Sequence, residues 1–86
     1  MDYLIHAGKG YYSNGNINYD RPLRSGQYHG IQRQWWDNGS RDFEIMMING
    51  KYQGIFERWT YYDQRWIISS YKEGINYGTK ILIRYA

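Results

Sequence analysis

The stretch N-G-K-Y-Q-G-I-F-E-R-W, residues 49–59, decides how the chain is read. Asn49-Gly50 suits a two-residue hairpin turn, in which both central positions need positive φ. Gly54 then falls where a strand should be under way, and glycine weakens a strand unless the backbone requires it. Reading outward in steps of 24 residues accounts for both: Gly26, Gly50 and Gly74 align, and so do Gly30, Gly54 and Gly78. Other columns agree. Asn14-Gly15 stands over Asn38-Gly39, Tyr11 over Trp35, Trp59 and Ile83, Tyr19 over Phe43 and Ile67, and Leu23 over Met47 and Tyr71. At an average glycine usage of ~7%, the glycine matches alone have a chance of roughly 1 in 40,000.

The period divides the chain into repeats at about 7–30, 31–54 and 55–78, with 79–86 opening a fourth. Each repeat carries two turn signals and two runs of β-branched and aromatic residues, which is the pattern of a β-hairpin. In the second, I-Q-R-Q-W-W leads through D-N-G-S into R-D-F-E-I-M-M-I and then N-G-K-Y-Q-G. No segment sustains a helical period. The expected fold is all-β, a single twisted antiparallel meander of about three 24-residue hairpin repeats plus a terminal strand, in one domain spanning 1–86.

Composition agrees with a small folded domain. The 86 residues include 11 Tyr and 4 Trp and no Cys, with a formal charge of +3. An aromatic content of 20% excludes a disordered polar chain, which lacks apolar area to offset ordering entropy. The absence of cysteine excludes disulfides and thiolate metal sites. M-D-Y-L-I-H-A-G-K-G has no basic leader and no long apolar run, so a cytoplasmic setting (or a virion, for a viral protein) is expected. No run approaches ~18 apolar residues, so no transmembrane segment is expected. Asn38-Gly39-Ser40 fits a glycosylation acceptor but reads as a turn.

Strand alternation sets Ile55, Glu57, Trp59 and Tyr61 on one side and Phe56, Arg58, Thr60 and Tyr62 on the other. The columns that stay apolar suggest one packed face: Ile31 with Ile55, Trp35 with Trp59, Phe43 with Ile67, and Met47 with Tyr71. The opposite face would carry Gln32, Gln34, Trp36, Arg58, Trp66, Lys80 and Arg84. Gly30, Gly54 and Gly78, recurring beside the aromatic column, are expected to let a ring lie flat over bare backbone. Gly26, Gly50 and Gly74 are expected in turns.

N-G-K-Y-Q-G-I-F-E-R-W and S-G-Q-Y-H-G-I-Q-R-Q-W-W-D-N-G resemble the MORN-variant repeat, whose pattern runs from a turn Asn-Gly through a glycine and an aromatic pair to another Asn-Gly. The resemblance covers about residues 8–84. In the third repeat, W-T-Y-Y-D-Q replaces the aromatic pair and Asn-Gly, which puts that hairpin's turn geometry in question. The resemblance implies an elongated sheet of successive hairpins. It also implies non-enzymatic roles: protein–protein contact, scaffolding, proximity to membranes in some members, and antitoxin-like proteins in bacteria. Such repeats are also abundant in some large DNA viruses of amoebae.

Catalytic chemistry finds little footing. His6 and His29 have no carboxylate at metal-ligand spacing, and His29 shares its column with Gln53 and Tyr77, as a polar turn position would. Gly8-Lys9-Gly10 lacks the rest of a phosphate loop and reads as a turn. Asp42 and Glu44 have like parity on one strand and read as a solvated face. No nucleophile–base pair can be nominated, so no enzyme activity, cofactor or metal is expected.

Two binding readings remain. A lone sheet leaves an apolar face and two unpaired edges, which invite another protein chain or a second copy. The first expectation is therefore a non-catalytic interaction or structural module, such as a component of a viral particle or an antitoxin-like protein. The alternative is a nucleic-acid or glycan binder that uses Trp36, Arg58, Tyr62, Trp66, Lys80 and Arg84 as an aromatic and basic platform.

Overall fold

The computed structural model describes residues 8–82; His6, Ile83 and Arg84 lie outside them. The strands are β1 (Lys9–Tyr11), β2 (Ile17–Asp20), β3 (Leu23–Arg24), β4 (Gln27–Tyr28) and β5 (Gly30–Trp35), then β6 (Arg41–Ile48), β7 (Lys51–Tyr52), β8 (Gly54–Trp59), β9 (Arg65–Lys72) and β10 (Ile75–Ile81). There is no helix among the described residues. The main sheet runs β1-β2-β5-β6-β8-β9-β10, with β7 against the end of β6 and β3–β4 as a separate ribbon. Every pair is antiparallel. The molecule measures 53 × 37 × 10 Å, the thickness of one sheet.

Two kinds of turn alternate along it. Short arms end in two-residue turns at Ser25-Gly26, Asn49-Gly50 and Glu73-Gly74, with φ of 50/79°, 50/81° and 52/84°. Two successive positive φ values make type I′ turns, whose twist matches that of the strands they join. At the opposite end of each hairpin, Tyr12, Trp36 and Thr60 each donate their N–H to the carbonyl of Asn16, Ser40 and Gln64, all at 2.8 Å. Asn38-Gly39-Ser40 lies within the second of these loops, as a turn.

Hydrogen bonds that link one hairpin to the next also recur at the 24-residue spacing. Gly50 N–H donates to Tyr28 O at 2.8 Å, and Gly74 N–H to Tyr52 O at 2.9 Å. Beside them, Asn49 N–H donates to His29 Nδ1 at 3.2 Å, and Glu73 N–H to Gln53 Oε1 at 2.9 Å. Tyr12 Oη donates to Trp35 O, and Trp36 Nε1 to Trp59 O. Thus the column of His29 and Gln53 is more than a polar turn position: it caps the next arm's turn.

The faces differ from the sequence expectation. In the register, Phe43 is opposite Gln34 and Arg58, and Ile67 is opposite Arg58, whereas Trp35 faces Arg41 and Trp59 faces Arg65. The four apolar columns therefore split between the two faces. Phe43, Ile45, Met47, Phe56 and Tyr71 share their side with Gln32, Gln34 and Arg58. Trp35, Trp59, Ile31 and Ile55 lie on the other side, with the expected core positions Ile31 and Ile55 exposed. Lys80, paired with Ile68, joins the Trp59 face. The register breaks that do this lie between Gly10/Tyr11, Gln34/Trp35 and Arg58/Trp59, skipping Asn18, Asp42 and Trp66. Each is a β-bulge, which upsets simple two-residue alternation.

Asp42 and Glu44 are correspondingly not a pair on one solvated face. Asp42, 3% exposed, accepts from Gln34 Nε2 at 3.0 Å, while Glu44 meets Arg33 across the other face. Gly8-Lys9-Gly10 is not a turn, since Lys9 and Gly10 belong to β1.

The glycine account also changes. A Cβ on Gly54 would meet nothing within 4 Å, and no ring covers it. Its φ of +93° is the reason for glycine there: the chain turns a corner from the arm into the long strand β8. The ring over bare backbone exists elsewhere. A Cβ on Gly10 would collide with the Tyr19 ring.

On the Phe43 face the rings make a connected cluster. Phe43–Phe56, Tyr52–Phe56 and Tyr52–Tyr71 have centroids 5.8, 5.9 and 5.1 Å apart. Such pairs are worth about 0.5–1.5 kcal/mol each beyond their burial. On the Trp59 face, Arg41 lies 4.3 Å over the Trp59 ring, and Arg33 and Arg65 pair with Glu44 and Glu57, which face one another. Ile45 and Trp59, one on each face, are buried, as is Pro22.

Candidate functional site

The residues of the expected aromatic and basic platform do not form one surface. Arg58 lies 5.7 Å over the Trp66 ring and reaches Asp42 at 3.5 Å. Its guanidinium is held by the sheet, with Nε buried and without a hydrogen-bond partner. Trp36 and Tyr62 sit at the loop end of the hairpins, joined through Tyr61: Trp36–Tyr61 centroids are 6.1 Å apart and Tyr61–Tyr62 5.6 Å, both edge-on. Tyr62 is 82% exposed. A hydrogen bond to Asp37, with the charge of that carboxylate, raises the Tyr61 phenol above its ordinary range. Lys80 is on the opposite face, and Arg84 is outside the described residues. Of the structural positions, Trp35 and Trp59 line the charged side, Gly26, Gly50 and Gly74 make the arm turns, Gly30 and Gly54 make corners, and Gly78 lies within β10 at its bulge.

The described sheet ends in β1 on one side and β10 on the other; β10 is the longer edge. All seven of its residues are exposed, among them Ile75 at 59%, Tyr77 at 65% and Ile81 at 64%. Its inner side pairs with β9, with a bulge at Tyr77. At that bulge Gly78 N–H turns back to Asn76 Oδ1 at 2.7 Å. In the preceding hairpins the matching positions His29 and Gln53 cap the next turn, whereas Tyr77 projects into solvent.

A second feature is not legible in the columns. Between the arms and the Phe43 face lies a cleft of about 240 Å³, lined by Arg21, Tyr28, Gln32, Phe43, Ile45, Met47 and Tyr52. Tyr28 and Tyr52 come from successive arms, and Ile45 forms the floor. Gln32 is 3% exposed. Its Nε2 donates to Pro22 O at 3.0 Å, and its Oε1 has no donor. Arg21 stacks over Tyr19 at 4.7 Å and donates to Gln34 Oε1 at 3.0 Å. Positions 21 and 32 recur as Ile45 and Phe56 one repeat later, so periodicity gives them no signature.

Among the described residues no group of three His, Cys, Asp or Glu side chains could hold a metal ion. His29 has both ring nitrogens engaged, Nδ1 with Asn49 and Nε2 with Arg24 at 3.1 Å. No described helix is long and apolar enough to cross a membrane. No protein-family model, curated protein or solved structure matches the chain.

Proposed function

We propose that the protein is a non-catalytic interaction module, of the kind the MORN-variant resemblance implies, which offers its β10 edge to an extended strand of another protein chain. The observation that carries this is the exposure of all seven β10 residues at the rim of a sheet 10 Å thick. An edge strand leaves one row of backbone N–H and C=O groups unpaired, and strand addition satisfies them while side-chain pockets set specificity. The three exposed apolar residues would add buried area to those bonds. A viral-particle component or an antitoxin-like protein would both use such an edge.

The simplest partner is a second copy. Light scattering on the 86-residue protein over a concentration series should give a mass that rises above that of the monomer. Tyr77→Lys/Ile81→Lys should return it to monomer without lowering the melting temperature. A wild-type mass that stays monomeric throughout, with no protection of β10 amides at the highest concentration, contradicts the edge reading.

The exposed Tyr62, continuous with Tyr61 and Trp36, favours a second reading, the stacking of a sugar ring or nucleobase at the loop end. Oligonucleotide and oligosaccharide titrations should then quench tryptophan fluorescence in the wild type, and Tyr62→Ala, which keeps all 4 Trp, should weaken that quenching. Flat titrations remove that reading.

A further inference from the structure

The cleft on the Phe43 face combines three properties that no packing requirement explains together. Its walls are Tyr28 and Tyr52 and its floor Phe43 and Ile45, so an apolar group entering it leaves water. Arg21, which also lines it, forms no ion pair with any described carboxylate, in contrast to Arg33, Arg41, Arg58 and Arg65. Gln32 is buried in the same wall with an acceptor that nothing satisfies.

The orientation of that amide is fixed by its neighbours. Nε2 faces two carbonyls, Pro22 O at 3.0 Å and Gly30 O at 3.4 Å. Rotating the amide would set Oε1 against both of them, so the oxygen stays as the orphan. A buried acceptor without a donor is costly, because it has given up water and gained no partner. A guanidinium in an apolar setting favours a carboxylate, which can take two of its N–H groups at once. Arg21 uses one donor on Gln34 and has others left.

We infer that this cleft binds an apolar carboxylate: one hydrophobic or aromatic group between Tyr28 and Tyr52, its carboxylate on Arg21, and an adjacent N–H directed to Gln32 Oε1. At about 240 Å³ the space suits a single ring with a short polar stub, below the usual range for larger ligands. An N-acylated amino acid and the C-terminal residue of a peptide both present this chemistry. The inference is independent of the β10 edge: the cleft lies between the arms and the sheet, and a monomeric protein would still bind.

The test is an NMR titration of the 86-residue protein with N-acetyl-L-phenylalanine, following the Gln32 side-chain amide and the Ile45 backbone amide. Saturable shifts at both are expected, with Kd on the order of 0.1–1 mM for a ligand of this size. The carboxamide of the same compound, which replaces the charge and one acceptor oxygen with a neutral NH2, should bind about tenfold more weakly. 3-Phenylpropanoate, which lacks the N–H, should bind several-fold more weakly and leave the Gln32 amide unshifted. The peptide acid Gly-Gly-Phe separates the sources: tighter binding than the acetylated amino acid assigns the site to a chain terminus, and equal binding to a small acid. Arg21→Gln keeps a donor toward Gln34 while removing the charge, and should abolish the acid-over-amide preference. The wild-type acid and amide pair stands without that variant if it folds poorly. Equal affinity for acid and amide, shifts confined to residues outside the cleft, or no saturation by about 10 mM would overturn the inference.

Discussion

The loops at Trp36–Ser40 and Thr60–Gln64 close with the same two backbone hydrogen bonds but share almost no sequence. In the first, Trp36 N–H donates to Ser40 O at 2.8 Å and Gly39 N–H to Trp36 O at 3.0 Å; in the second the equivalents are 2.8 and 2.9 Å. The positive φ falls on Gly39 at 88° in one and on Asp63 at 61° in the other. Side-chain support differs completely. Asn38 Oδ1 accepts from Ser40 N–H at 2.9 Å, and its Nδ2 donates to Tyr61 O in the next loop at 2.8 Å. Tyr62, in the place of Asn38, makes neither bond. Instead Thr60 Oγ1 accepts from Tyr62 and Gln64 N–H, both at 3.3 Å. A loop whose own residues favour the turn thus sits beside one that has the same shape with weaker local support. The neighbouring strands impose the shape, and the local residues set how much it costs.

That contrast is easiest to break at Gly39. Gly39→Val forces a β-branched residue to positive φ and should destabilise the protein by about 2–3 kcal/mol. Urea melts monitored by tryptophan fluorescence would measure it, with Lys51→Ala as a surface control within about ±0.5 kcal/mol. A loss at Gly39 no larger than the control's would mean that the loop geometry is not constrained by φ at all. Asn38→Ala removes the link to Tyr61 O together with the local bonds to Ser40, and should cost about 1–2 kcal/mol in the same melts. Tyr62→Ala, which has no such bond to lose, should cost less; equal losses would show that the Asn38 link contributes nothing.

The Tyr12–Asn16 loop sharpens the comparison through pH. Tyr12 Oη donates to Trp35 O at 2.6 Å, as Trp36 Nε1 does to Trp59 O, while the Thr60 side chain accepts only within its own loop among the described residues. Burial, then the nearby carboxylates of Asp37 and Asp42, raises the Tyr12 phenol above its ordinary value of 10.0. The folded state therefore holds the proton more tightly than the unfolded chain. The resulting stability is fully present below pH about 10 and is lost as pH rises through the folded value. Tyr12→Phe should cost about 1 kcal/mol at neutral pH and flatten the alkaline decline. A wild type and variant that decline in parallel above pH about 10 would remove Tyr12 as the cause.

What can be read in the sequence divides along the same line. Asn49-Gly50 announces its turn, and the period transfers the prediction to Ser25-Gly26 and Glu73-Gly74, which have φ values within a few degrees of it. The all-β meander follows from that. The faces do not, because the bulges at Asn18, Asp42 and Trp66 come from hydrogen-bond register, which leaves no apolar signature. A one-residue slip exchanges the faces of everything beyond it. Hence uninterrupted alternation puts Phe43 and Trp59 in one core, and Arg58 and Lys80 on one platform, where the folded sheet separates both pairs. Gly54 is special for a reason other than the one its column suggests: a glycine recurring through the repeat signals φ as readily as close packing. Gly8, against the Arg21 carbonyl, and Gly10, under the Tyr19 ring, are the closely packed glycines, and both lie outside the glycine columns. The cleft at Arg21 and Gln32 arises where two arms lean over the sheet, and no local pattern encodes it.

The smallest expected effect is also the most direct test of what the two loops share. Grafting the favourable pair into the third hairpin, Tyr62→Asn/Asp63→Gly, places glycine at the position now held by Asp63 at φ +61°. An aspartate tolerates that region better than most residues but still pays for its Cβ there. Against the relief stand the greater unfolded-state freedom of glycine and the loss of the exposed Arg41–Asp63 pair at 3.2 Å, worth at most a few tenths of a kcal/mol. The introduced asparagine side chain could bond Gln64 N–H, as Asn38 bonds Ser40. The net expectation is a gain of about 0.5 kcal/mol, read as a higher urea midpoint at unchanged slope. If the graft destabilises, the bonds from Thr60 Oγ1 and the contact of Tyr62 with Tyr61 are what hold the third loop. The two loops would then be separate local solutions, and the neighbouring strands would not be imposing a common shape on both.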